Sequence, residues 1–484
     1  MNNSKLITYL RTLSNYEMRD LGQFIVYKTA KGANDLNALF NYLKKLHPIF
    51  PEKKIEKKFV SKKIFKDESE STKRIINTMY KLGLILDEYL VMDVLKEKEK
   101  EKDFLLLNAL QKRKLNKFFF KKAGQMQEDW EKNPRAGIEQ FYNEFKLKEI
   151  CLLHPHYSLV KEMPINPKVL LNQIDKHYFA IKLYWNLCSY NNSNYIDNSK
   201  DEKSFAELFI DEIIDLTNKN DKYATTQGKL LSQMVFDFKN REYPNYYKYK
   251  NEFFQHFRLF NQKEKNGILT MLFHACYENY KKGEPDAQNE LFELSCFVVD
   301  NDLLMVDGYI FSGSFWNIVH IGLASGELDW TGNVIEKYGT YLEEEIRVDV
   351  VTICKALLAF NRKEYSDSLQ LLSIVKFQDP IYGLYAKSVQ LKCYYELGDE
   401  YDDLFHNLSK SFYLYITRKH TFSESMKSSF CNFISVTTQL QNAKYDPNKN
   451  FDKILQKFNS TENLAYKSWL KEKINRVNSD RYCM

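Results

Sequence analysis

Breakers are scarce in this chain: 484 residues contain only 16 Gly and 10 Pro. That is too few for the frequent tight turns of a sheet protein, so the composition favours long helices. Long apolar runs are missing as well. The opening MNNSKLITYLRTLSNYE is interrupted by Arg11 and polar residues before it reaches the length of a signal-peptide core. No stretch approaches the roughly 18 to 20 apolar residues of a membrane span. A soluble cytoplasmic protein with no membrane partner is expected. The eight cysteines (Cys151, Cys188, Cys276, Cys296, Cys354, Cys393, Cys431 and Cys483) never form a CxxC pair, which speaks against a zinc site and a dense disulfide framework. Most lie in apolar helical contexts such as LFHACYENY and TICKALLAF, as small core residues. Phosphate-cradling loops are absent too, because neither GxGxxG nor GxxxxGK[ST] occurs. The serine of FSGSFW is not flanked as a nucleophile elbow, and no Ser–His–Asp set follows from spacing. No catalytic residue, cofactor or metal ligand is nominated, and a non-enzymatic protein is expected.

Aromatic residues are abundant: 33 Tyr and 34 Phe, against 5 Trp, make up 15% of the chain. Hydrophobic residues at 44% and charged residues at 28% exclude a disordered chain. The net charge of +6 hides an asymmetry: residues 1–130 hold 27 Lys plus Arg against 17 Asp plus Glu, a net of +10, which leaves −4 for the rest.

Self-similarity is the next signal. FKNREY at Phe238–Tyr243 and FNRKEY at Phe360–Tyr365 are nearly the same six letters, each following an apolar helical stretch (QMVFDF, KALLAF). Both read as the corner between two helices, with a ring wedging the second helix against the first. IGLASGELDWTGNVIEKY puts Trp330 in this role, and YYELGDEYDDLFHNL puts Tyr401 there. The steps from Trp330 to Tyr365 and from Tyr365 to Tyr401 are 35 and 36 residues, the period of stacked helical hairpins. Ile318, Val319, Ile321 and Leu323 form a first-helix stripe that Ser325-Gly326 ends, and Val334 and Leu369 open the second-helix stripes. Gly398-Asp399-Glu400-Tyr401, the small Ser368 three residues after Tyr365, and Pro380 fifteen after it resemble a divergent tetratricopeptide repeat over about residues 311–420. Leu404 in place of a small residue, and no Pro at that distance after Trp330 or Tyr401, depart from the pattern. The resemblance implies an all-α fold, an α-solenoid of stacked hairpins, and binding of protein or peptide partners.

Upstream the pattern loosens. Gly283 and Pro285 precede a stripe at Leu291 and Phe292, Pro244 suits a helix start, and VDNDLLMVDGYIFSG reads as an insertion. Ser204 and Glu207 form a capping box for a helix expected to bury Leu208, Ile213 and Leu216. FCNFISVTTQL, NFDKILQKF and AYKSWLKEKI read as a last hairpin and a capping helix. Three regions result: a basic helical domain over 1–130, a helical transition with a loop at Ser189–Ser204 over 131–200, and the solenoid over 201–484.

In the first region, Ser14 and Glu17 form a capping box ahead of Leu21, Phe24 and Ile25, and a second helix from Asn34 uses Leu36, Leu39, Phe40 and Leu43. Residues 51–72 show no clean period and remain unassigned. STKRIINTMYKLGLILDEYLVMDVLKEKEKEKDFLLLNAL reads as one long helix or two abutting ones. Lys53, Lys54, Lys57, Lys58, Lys62, Lys63, Lys112, Arg113 and Lys114 interleave charge with aromatics, as a nucleic-acid or acidic-partner surface would. Lys73, Arg74 and Asn77 would face the groove if a helix-turn-helix is hidden there. Against this, KEKEKEKD is the ordinary pattern of a water-facing helix. His154-Pro155-His156 is the one close histidine pair, but it lacks a partner set with ligand spacing. His256, His274, His320 and His406, and the carboxylates at Asp211, Glu212, Asp215 and Glu343–Glu345, read as ordinary helix residues. The leading expectation is a non-enzymatic interaction scaffold. A nucleic-acid-binding or regulatory protein, docking by its basic domain and recruiting or dimerising through the solenoid, is the alternative.

Overall fold

The computed structural model describes residues 1–2, 4–29, 34–65, 71–132, 137–156, 166–192, 207–219, 225–306, 308–374, 379–445 and 451–482. Among these the chain is predominantly helical, with 23 α-helices and one short two-stranded ribbon. None of these helices is long and apolar enough to cross a membrane. The chain divides into two compact units, Met1–Pro134 with Tyr142–Ile174, and Arg135–Phe141 with Asp175–Met484.

The first unit begins with α1 (Lys5–Thr12), α2 (Asn15–Lys28), α3 (Asn34–Lys44), α4 (Lys57–Phe65) and α5 (Ser71–Glu97). The capping box that opens α2 is present: Glu17 N–H donates to Ser14 Oγ (3.2 Å) and Ser14 N–H to Glu17 Oε2 (2.6 Å). Leu21 and Ile25 of α2 and Leu39, Phe40 and Leu43 of α3 join Ile75, Leu82 and Leu86 of α5 in one core. The unassigned stretch 51–72 holds a 3-10 turn at Glu52–Ile55 and then α4, anchored by buried Ile55, Val60 and Phe65; residues 66–70 lie outside the described residues. Two abutting helices rather than one follow, because Lys98 leaves helical geometry (φ −99°, ψ 77°) between α5 and α6 (Glu99–Lys112). With α7 (Asn116–Lys132) and α8 (Ile138–Leu152), α6 contributes to a smaller core of Phe104, Leu107, Phe119, Met126, Leu147 and Cys151. Next comes α9 (Pro167–Asn192).

The second unit continues with α10 (Ile210–Lys219), α11 (Thr226–Asn240), α12 (Tyr246–Gln255), α13 (Gln262–Lys282), α14 (Ala287–Asp300), α15 (Ser312–Ala324), α16 (Leu328–Tyr338), α17 (Glu344–Asn361) and α18 (Tyr365–Ile374). It ends with α19 (Pro380–Leu397), α20 (Asp402–Arg418), α21 (Glu424–Tyr445), α22 (Phe451–Ser460) and α23 (Lys467–Tyr482). From α10 to α22 each helix packs on its sequence neighbours, and α17 also packs on the next-but-one helices α15 and α19. The expected stripe on α10 is out of register. The helix starts at Ile210, so Ile210, Ile213 and Thr217 face the core while Leu208 and Leu216 are exposed. Ser204 of its expected capping box lies outside the described residues. The insertion after α14 contains the ribbon β1 (Met305–Val306) and β2 (Tyr309–Ile310), paired antiparallel as Met305 with Ile310 and Val306 with Tyr309.

The twin hexamers are helix C-terminal caps. Arg241 and Lys363 occupy equivalent places and both are left-handed, at φ 55° and 66°. Arg241 N–H donates to the Phe238 carbonyl and Glu242 N–H to the Asp237 carbonyl; Lys363 and Glu364 repeat this with Phe360 and Ala359. These bonds satisfy carbonyls that the helix end would leave unpaired. The ring two residues later folds onto the phenylalanine that starts the hexamer, with centroids 5.1 Å apart for Phe238–Tyr243 and 5.4 Å for Phe360–Tyr365. Gly283 and Gly326 make the same left-handed cap after α13 and α15. Gly398, at φ 86° and ψ −147°, ends α19 in a conformation only glycine adopts freely. So the feature common to these corners is a positive φ at residues 241, 283, 326, 363 and 398, and the ring varies. Trp330 lies inside α16 and packs on Phe292 of α14 (5.0 Å), and Tyr401 stacks on Tyr394 (5.9 Å). Ser368 is fully buried and donates to the Ala356 carbonyl (2.8 Å), which explains the small residue where α18 approaches α17. Pro380 opens α19 behind the capping Asp379.

Because the left-handed region costs a non-glycine residue about 1 kcal/mol, Lys363→Gly should raise stability and Gly283→Ala should lower it, each by about that amount. Urea unfolding of the two variants beside the parent chain checks the opposite signs.

Candidate functional site in the second unit

Helix α19 is buried on more than one side. Its Tyr385, Ser388, Lys392 and Glu396 recur every three to four residues and so share one stripe. Lys392 is 6% exposed and makes no ion pair among the described residues. Its ammonium instead lies in a box of rings, 4.6 Å from the centroid of Phe360 on α17, 4.4 Å from Tyr466 and 5.9 Å from Trp469 on α23. Ring faces carry partial negative charge and attract a cation most strongly when water is excluded. Burial still dominates: it lowers the Lys392 pKa from 10.5 to about 8, with neighbouring Lys473 acting in the same direction.

One helical turn further on, Glu396 accepts from Trp469 Nε1 (3.1 Å) and from Lys473 Nζ (2.7 Å). The Glu396 and Lys473 side chains are only 7% and 8% exposed. Burial alone would lower the Lys473 pKa, but Glu396 and Glu472 more than offset it and hold it above the ordinary lysine value. Lys444 of α21 donates to the Tyr395 carbonyl (2.8 Å), with its ammonium against the Tyr395 ring while much of the residue stays in water. On the other side, Trp316 of α15 stacks on Tyr385 (4.9 Å) and lies 4.6 Å from His320. Burial first, and Lys392 second, push the His320 pKa down to about 4, so its imidazole is neutral at physiological pH.

Helix α23 closes this surface. Tyr466, left-handed at φ 54°, turns the chain into α23 and packs on Phe433 (5.0 Å) and Phe430 (5.9 Å) of α21. Trp469 reaches past α21 to the Tyr395 ring (5.3 Å). Leu470, Lys473, Ile474 and Val477 form its buried stripe. First helices α15, α17, α19 and α21 thus supply one surface, and an aromatic and lysine-bearing helix covers part of it. Its groups are ring faces, a buried ammonium and a carboxylate that accepts two bonds. Cys393 beside Lys392 is held as a thiol by burial, its pKa pushed up to about 11.

The other sequence candidates fall elsewhere. Lys53 and Lys54 sit on the 3-10 turn, Lys57, Lys58, Lys62 and Lys63 on α4, and Lys73 in the first turn of α5, all exposed. Arg74 is bidentate to Asp35 (2.7 and 2.8 Å) and stacks over Phe65 (4.5 Å), so its guanidinium joins α5 to α3 and α4. Lys112, Arg113 and Lys114 form the α6–α7 corner around the smaller core, Arg113 donating to the Ala109 carbonyl (3.2 Å). His154 is buried between Phe119 (4.5 Å) and Phe120 (4.8 Å) and accepts from the His156 N–H (3.1 Å). No group of three or more His, Cys, Asp and Glu fit to hold a metal occurs among the described residues. Two surface clefts lie along earlier pairs, one of about 430 Å³ beside Tyr243, Tyr247 and Lys282, the other of about 360 Å³ beside Phe257 and Phe297. Comparison with known proteins gives no match: no family model, curated protein or solved structure is significantly similar to the chain. The tetratricopeptide resemblance therefore rests on the helix pairs and their corners alone.

The lysine box is testable by pH. Below about pH 8 both folded and unfolded chains keep the Lys392 proton, and folding bears the full cost of the buried charge. Between about 8 and 10.5 the folded chain releases it first, so this residue's penalty fades as pH rises. Lys392→Met should be more stable than the parent by about 1–4 kcal/mol at pH 7, with the gap closing toward pH 10. Denaturant midpoints at the two pH values measure it.

Proposed function

We propose that the second unit is an α-solenoid and that the protein is a cytoplasmic, non-enzymatic scaffold binding protein partners through the surface of its first helices. The observation that carries this reading is α23. The chain's own helix α23 lies on that surface, with Trp469 and Lys473, one turn apart, engaging Tyr395 and Glu396. Helix-in-groove recognition uses this chemistry: anchors at i and i+4, and one charge-assisted contact fixing the register. The pairing of consecutive helices, the packing of α17 on α15 and α19, and the positive-φ corners support the solenoid. A partner helix presenting an aromatic residue and a lysine four residues on would meet the same groups.

A second reading, nucleic-acid binding by the first unit, is favoured by one observation. Lys57, Lys58 and Lys63 are exposed on one short helix, with Lys63 beside the exposed Phe59 ring.

One capture experiment separates them, using the full chain as bait in extract of its native cells. The scaffold reading expects a protein partner that survives nuclease treatment and is competed by a synthetic peptide of residues 463–482. The second reading expects the captured material to vanish with nuclease, or with Lys57→Glu/Lys58→Glu/Lys63→Glu. Capture of nothing contradicts both.

A further inference from the structure

We infer that the chain pairs with a second copy of itself through α5, the two helices running antiparallel. Helix α5 has 27 residues and is therefore about 40 Å long. One face, with Ile75, Leu82 and Leu86, is in the core of the first unit. An adjacent face carries Ile76, Tyr80, Leu84, Val91 and Val94, which are 44%, 68%, 47%, 66% and 56% exposed. Single exposed apolar residues are ordinary. Five on one line over five turns are a seam, at the spacing that packs two helices side by side.

Charge selects the occupant. Beside the seam, the first half of α5 offers exposed Lys81, and the second half offers exposed Glu88. Lys81 and Glu88 are seven residues apart, two turns, on the same flank. When a second copy runs antiparallel and is centred near Leu84, Ile76 meets Val94 of the copy and Lys81 meets Glu88, each contact made twice. A parallel pair in register sets like charges side by side. Gly83 lies at the centre with open space where a Cβ would stand, so the backbones can approach there. Asp87 beside it is neutralised by Lys5 (2.8 Å). Glu88 also contacts Lys28 of its own chain, an exposed pair that a second cation can share. A self-complementary seam of this kind closes at two copies.

Sedimentation equilibrium of the full chain between about 1 and 50 μM tests this, a range in which dimers of this interface class form. The expected result is a concentration-dependent shift from the 57.6 kDa monomer to twice that mass. Leu84→Glu and Val91→Glu, both at exposed positions, should abolish the shift with helicity and melting temperature unchanged. Lys81→Glu should weaken it about tenfold, and adding Glu88→Lys should restore it. A parent chain that stays monomeric, with the seam then serving another partner, overturns the inference, as does a dimer that survives both seam variants. A Lys81→Glu chain that dimerises like the parent overturns the antiparallel arrangement.

Discussion

A helix of ten to twenty residues cannot bury its apolar stripe alone, and in the second unit the nearest covering surface is the next helix in sequence. That requires the chain to reverse within a few residues while the last carbonyls of the first helix still find donors. The positive-φ corner meets both demands. At Arg241, Gly283, Gly326 and Lys363 it satisfies the helix end and redirects the chain, and at Gly398 a different glycine-only conformation does the turning. Once the corners are set, close approach follows: Ser368 lies under α17, and Gly322 lies against Trp330 and Thr331, leaving no space for a side chain.

The corner also determines which residues of successive helices lie side by side. With second helices folded back, first helices α15, α17, α19 and α21 contribute neighbouring stripes, and these hold Trp316, Phe360, Tyr385, Lys392 and Phe433. A buried ammonium with ring partners and no paired carboxylate weakens the fold where it sits. Lys392 lies where α19 meets Tyr466 and Trp469, and its burial there is a cost to the fold rather than a stabilising contact. Glu396 sets the register of the incoming helix through two charge-assisted bonds.

Local signals were the legible part. The capping box at Ser14 and Glu17 and the stop at Ser325-Gly326 each depend on residues within four positions, and each is found as read. The hexamers were legible as corners, although what they conserve is a left-handed cap rather than a wedge ring. Residues 51–72 were illegible because Ile55 lies on a 3-10 turn and the buried Ser61 interrupts the apolar count on α4. The α10 stripe slipped because the start of the helix, not its composition, selects the inward face. Nothing local in SVQLKCYY marks Lys392 as buried, since what covers it includes α23, far downstream. The lysines of the first unit at 53–63 and 73 are exposed, and Arg74 is paired with Asp35.

The central proposal is that α23 rests on the first-helix surface as a docked ligand of its own chain. Hydrogen exchange resolved to single helices tests this directly. The account predicts that amides of Leu470–Val477 are protected in the parent chain, and that Trp469→Ala releases them while α11 to α16 keep their protection. Exchange of Leu470–Val477 in the parent chain as fast as in an isolated peptide would contradict it.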